Sequence, residues 1–102
     1  MPYFSCVRDA RKVSKDSEEY IRVKELVVKS GEYVHIRLTV KMLCCDKRDV
    51  LNIYLVPTDD PERFIVLYEL ESHNEAYIRE LDVPEGDIVQ AIKEAVDAVQ
   101  IT

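Results

Sequence analysis

Two glycines, no tryptophan and four asparagine or glutamine residues in a chain of 102 set the first limits. A P-loop or a dinucleotide fingerprint needs several glycines to bring backbone close to phosphate, so nucleotide-driven chemistry is not expected. The longest apolar run, FIVLY at 64–68, is far short of the roughly 20 residues that cross a bilayer. MPYFSCVRD lacks the basic-then-apolar order of a secretory signal. The expectation is a protein without membrane contact that stays in the cytoplasm where it is made.

Cysteine is odd in number, with Cys6, Cys44 and Cys45 in no zinc-ligand spacing, which fits a reducing interior better than a disulfide scaffold. All three are read as core filler, although Cys6 could in principle meet one of the vicinal pair, and no metal site or cofactor is expected. His35 and His73 lack HExxH, CxxC or G-x-S-x-G context and read as exposed side chains. A Cys45–His35 nucleophile pair fails on geometry, because ten residues along one strand span about 33 Å. DDPE at 59–62 is explained by turn chemistry and offers too few oxygens for calcium. No catalytic residue is expected, and the chain is read as non-enzymatic.

What is present is charge, aliphatic bulk and tyrosine. One third of the residues are charged and 47% are hydrophobic, enough for a single domain over 1–102 to bury one core. Sparse Asn and Gln with abundant charge is a usage typical of hyperthermophiles. The net charge of -6 hides a polarity, since residues 1–50 hold 11 Lys or Arg against 8 Asp or Glu, and residues 51–102 hold 3 against 12. Such a dipolar surface can orient a partner or a second copy, and two solvated faces are the plainer reading.

The patterns predict an α+β fold: an antiparallel sheet of four or five strands with two or three helices. YFSCV at 3–7 reads as a strand and RDARKVSK as a basic loop. Asp16 or Ser17 can cap a helix whose first turn holds Glu18 and Glu19 and which stops at Gly31; a hairpin turning at KSGE is the rival. YVHIRLTVKMLC at 33–44 alternates as a strand with one wet face. VLNIYLV and RFIVLYEL, joined by PTDDPE, read as a central hairpin with both faces covered. PEGDIVQAIKEAVDAV reads as a helix with a stripe of Ile88, Ile92, Ala95, Val96 and Val99, and NEAYIREL fits a short helix or a strand equally.

One echo runs through the chain. EYIRVKEL at 19–26 returns as AYIRELDV at 76–83, which is either coincidence or the trace of two related half-motifs, about 1–49 and 50–102. Duplicated halves would leave a groove at their junction, bordered by Tyr20, Arg22, Tyr77 and Arg79. With six tyrosines available and no nucleophile, metal or phosphate constellation, the expected function is binding of a protein or peptide, in that groove or on a sheet edge. The alternative is nucleic-acid binding by Arg8, Arg11, Lys12 and Lys15 beside Tyr3 and Phe4, which an acidic chain with a pI near 4.9 disfavours.

In size and composition, with sparse Gly and Asn, many Val, Ile, Glu and Tyr, YIRVKELVVKSGEYVHIRLTVKMLCC and an acidic helical tail, the whole chain resembles the small proteins of filamentous viruses that infect hyperthermophilic archaea, of the Acidianus filamentous virus type. The resemblance implies a host cytoplasm and partners among host or viral macromolecules, and it transfers no catalytic residue.

Overall fold

The computed structural model describes residues 3–102. Five strands form one antiparallel sheet in the order β2-β6-β5-β4-β3: β2 (Arg11–Ser14), β3 (Val34–Lys41), β4 (Arg48–Pro57), β5 (Arg63–Leu70) and β6 (Glu75–Asp82). A separate ribbon pairs β1 (Phe4–Val7) with β7 (Val99–Ile101). Two α-helices complete the α+β fold, α1 (Glu18–Ser30) and α2 (Ile88–Asp97), the latter preceded by a 3-10 turn at Pro84–Gly86.

Local chemistry explains the helix limits. The Ser17 side chain accepts from Tyr20 N, Glu18 and Glu19 occupy the first turn, and Gly31 ends α1 at φ 65, a left-handed stop that glycine adopts without strain. The Asp87 carboxylate accepts from Val89 N and Gln90 N to start α2. The rival hairpin at KSGE is therefore not formed.

The sheet separates two apolar layers. On one face α1 lays Val27, Val23 and Tyr20 against Val56, Leu67, Ala76 and Ile78. On the other, α2 and the β1–β7 ribbon cover Leu51, Ile53, Leu55, Val66, Tyr68 and Tyr77. The central hairpin β4–β5 is thus covered on both sides, as its unbroken apolar runs require. Ala91 and Ala95 are fully buried, so α2 approaches closely enough for the Tyr68 hydroxyl to donate to the Ala95 carbonyl at 2.6 Å.

Four expectations are corrected. RKVS is not loop but β2, because its pairing with β6 from Arg11↔Ile78 to Ser14↔Glu75 supplies what local pattern lacks. The strand expected to reach Cys44 ends at Lys41, and Leu43, 75% exposed, breaks the alternation. The tail buries Ala91, Ala95 and Ala98 while Ile88 is exposed, and the chain leaves the helix at Ala98 so that Val99 opens β7. Cys6, Cys44 and Cys45 are all exposed and unpaired by disulfide, not core filler.

The undecided NEAYIREL becomes β6, an inner strand in which Ala76, Tyr77 and Ile78 are all buried, alternately on the two faces. The two copies of Tyr-Ile-Arg therefore lie in unlike structure, the first in α1 and the second in β6. Among the described residues no helix is long and apolar enough to cross a membrane.

Candidate functional site

The β3–β4 hairpin carries the most distinctive chemistry of the molecule, along its edge and at its tip. Met42 N donates to Lys47 O and Asp46 N to Met42 O, with Asp46 left-handed at φ 55, so four residues, Leu43 to Asp46, are thrown outward at the turn. An aspartate tolerates that conformation because its short polar side chain suits turns. Both vicinal cysteines stand at this tip, their sulfurs 2.7 Å apart.

A second turn, between β5 and β6, meets them. The buried Asp49 carboxylate at the start of β4 accepts from Val50 N at 2.8 Å, from Ser72 N at 3.1 Å and from His73 Nδ1 at 2.7 Å. This fixes the imidazole so that Nε2 points to the cysteines, 3.6 Å from Cys44 Sγ. Cys44, Cys45 and His73 bring three ligating atoms within 4.8 Å of one another. Cys44 and His73 also border a cleft of about 390 Å³ with Tyr3, Phe4, Lys12 and Glu75.

Titration follows these contacts. The hydrogen bond to Asp49 raises His73 above an ordinary imidazole. Burial works to raise Asp49, and the bonds from His73 and the two amides outweigh it, leaving the carboxyl lowered. Contact with Cys45 raises Cys44, whereas Cys44, followed by His73, lowers Cys45.

Along the edge, β3 pairs with β4 from Val34↔Leu55 to Lys41↔Arg48 and stands last in the sheet order. His35, Arg37 and Thr39 are exposed. His35 stacks on Tyr54 at 4.6 Å and donates through Nε2 to Asn52 Oδ1 at 2.8 Å, so this histidine is engaged on the sheet face. Residues 34–48 hold four Lys or Arg (Arg37, Lys41, Lys47, Arg48) against one acid, Asp46, in a chain whose net charge is -6. At the start of β3, Tyr33, Val34, Leu55, Phe64 and Ile88 line a second cleft of about 400 Å³.

The residues expected to border a peptide groove are not gathered. Tyr20 faces the sheet beneath α1 and donates to Glu69 Oε2, while Lys24 donates to Glu69 Oε1 at 2.8 Å. Burial, then the bond to Glu69, raises the Tyr20 phenol strongly. Tyr77 is 4% exposed on the opposite face, edge-on to Phe4 at 5.9 Å. Arg22 is exposed on α1, and Arg79 is half-buried on the Tyr77 side with a buried Nε. The sheet lies between the two copies, so no shared groove exists between them.

The basic segment is likewise dispersed. Arg11 donates to Glu19 at 2.8 Å, Lys12 lies 3.9 Å from Glu75, Arg8 lies 4.0 Å from Asp9, and Lys15 donates to the Leu70 carbonyl. Arg11 and Lys12 are consecutive in a strand and so project to opposite faces.

Both cysteines and His73 stand out in the sequence, but no spacing joins them or points to Asp49. The available signal is Leu43, an apolar residue on the wet side of the alternation, which marks the strand end and moves the cysteines into a turn. Comparison with protein families, with curated proteins and with solved structures finds no match for this chain.

Proposed function

We propose that the protein is a non-enzymatic binding protein that takes an extended, acidic peptide segment of another protein as an added strand along β3. The observation that carries this reading is the eight-residue strand Val34–Lys41, last in the sheet order and open on its outer side up to Met42, which bridges Phe4 of β1, within one of two markedly basic stretches of an acidic chain. Main-chain hydrogen bonds along such an edge supply affinity, and alternate side chains supply specificity. Val34, Ile36 and Leu38 are half-buried in a row beside the cleft at the start of β3, which suits apolar residues at every second peptide position. Arg37 and Lys41 lie on the other side, 3.6 Å from Glu71 and 3.2 Å from Asp46, and Lys41 stands opposite Arg48 in the register, so peptide carboxylates between the apolar positions would share these cations with two exposed acids. Pairing of β3 with a second copy is disfavoured because it sets like charges along one seam.

The test is fluorescence polarisation with a labelled peptide alternating valine and glutamate. Replacing glutamate by lysine, methylating alternate peptide nitrogens, and Arg37→Glu in the protein should each weaken binding by about tenfold or more, about 1.4 kcal/mol. Equal binding of all three peptides, or amide shifts confined to α1, overturns the reading.

A further inference from the structure

We propose that Cys44, Cys45 and His73 form a binding site for a thiophilic d10 divalent cation of the zinc class, with Asp49 as the residue that orients the histidine. The inference is independent of the peptide-binding reading.

Ligand chemistry comes first. Two thiolates and one imidazole make a soft, borderline donor set that favours zinc-class ions over magnesium or calcium, which take oxygen. The three atoms already lie within 4.8 Å of one another, as atoms sharing one ion must. With Zn–S near 2.3 Å and Zn–N near 2.05 Å, the sulfur-to-nitrogen edge of a tetrahedron is about 3.5 Å, and Cys44 Sγ stands 3.6 Å from His73 Nε2. The sulfur pair, now 2.7 Å apart, has to open by about 1 Å to reach the roughly 3.8 Å edge of a bis-thiolate site. Both side chains stand exposed at a hairpin tip, where side-chain rotation supplies that movement.

The second observation is the state of the imidazole. His73 Nδ1 donates to a carboxylate that is 2% exposed and also held by two backbone amides. In the neutral ring that bond keeps the proton on Nδ1 and leaves the Nε2 lone pair directed at the cysteines. A carboxylate behind a histidine in this way fixes the tautomer and strengthens the ligand in metal sites. On binding, two S–H bonds are replaced by two metal–sulfur bonds, both protons pass to solvent, and no redox change occurs. Three protein ligands leave a fourth position for water or an exogenous donor.

The experiment titrates the fully reduced protein with Co2+ and then with Zn2+, with oxygen excluded. The expected result is one equivalent of Co2+ bound with thiolate-to-cobalt charge-transfer absorption and tetrahedral visible bands, both displaced by Zn2+. Cys44→Ser, Cys45→Ser and His73→Ala should each weaken Co2+ by more than about tenfold, Asp49→Asn should weaken it by about 10–100-fold, and Cys6→Ser should leave it unchanged. Circular dichroism of each metal-free variant checks the fold, and the exposed-turn cysteine variants carry the decision if Asp49→Asn does not fold. Absence of thiolate bands, a stoichiometry lost in Cys6→Ser, or binding unchanged by His73→Ala and Cys45→Ser overturns the site.

Discussion

Tyr20 and Tyr77, the tyrosines of the repeated Tyr-Ile-Arg, sit on opposite faces of one sheet. Tyr20 holds Glu69 beneath α1, and Tyr77 packs against Phe4 beneath the terminal ribbon. Similar tripeptides thus serve two unlike apolar layers.

Lys24→Met should destabilise the fold by about 1–2 kcal/mol, less than the roughly 3–5 kcal/mol for breaking a fully buried pair. The reason is that Glu69 is 10% exposed while Lys24 remains 34% exposed. Adding Glu69→Gln should recover part of the loss, since Tyr20 can donate to an amide oxygen. Urea denaturation of the single and double variants measures the coupling.

Alkaline pH should weaken the fold from about pH 10 upward. Burial pushes the Tyr68 phenol from 10.0 up to about 12. A folded-state value above the unfolded one means that stability is fully present below about pH 10 and is lost as pH rises through about 12. Tyr68→Phe removes this share of the pH dependence, leaves the shares of Tyr20 and Tyr77, whose phenols are also raised, and costs about 1 kcal/mol at neutral pH for the lost bond to Ala95. Denaturation midpoints across that range provide the check.

The two glycines should respond differently to alanine. At Gly31 a Cβ meets nothing within 4 Å, so Gly31→Ala costs about 1 kcal/mol for its left-handed backbone alone. At Gly86, also left-handed at φ +63, the Cβ would overlap the Pro61 carbonyl oxygen, so Gly86→Ala should cost clearly more. Melting curves of the two variants rank them.

Nucleic-acid binding should be weak at physiological salt. Each of Arg8, Arg11, Lys12 and Lys15 already has an intramolecular partner. Tight binding of a labelled single strand that falls steeply with salt and collapses when all four become alanine is the contrary outcome.

Much of the fold is legible in the sequence because its signals are local. Ser17 and Gly31 bound α1 by capping chemistry, and the apolar runs of β4 and β5 announce a strand pair buried on both sides. β2 is not legible, since Val13 is its only apolar residue and the strand exists through its pairing with β6. β6 resists for the opposite reason: an inner strand buries consecutive residues, so Ala76-Tyr77-Ile78 shows neither period. The thiol cluster depends on two turns and a buried aspartate converging across 29 residues between Cys44 and His73, which no spacing rule anticipates. The basic edge is half legible, in the alternation of β3 and the excess of Lys and Arg in the first half.

The ribbon of β1 and β7 has a kinetic consequence. Strands β3 to β6 follow one another in space as they do in sequence, so each closes only a short loop, whereas Tyr3 and Thr102 exchange backbone hydrogen bonds across nearly the whole chain. Closing that long loop yields few contacts until the meander stands, so the meander is expected to form early and the ribbon late. By the same order in reverse, the ribbon amides should exchange with deuterium in the native state ahead of those of β4 and β5.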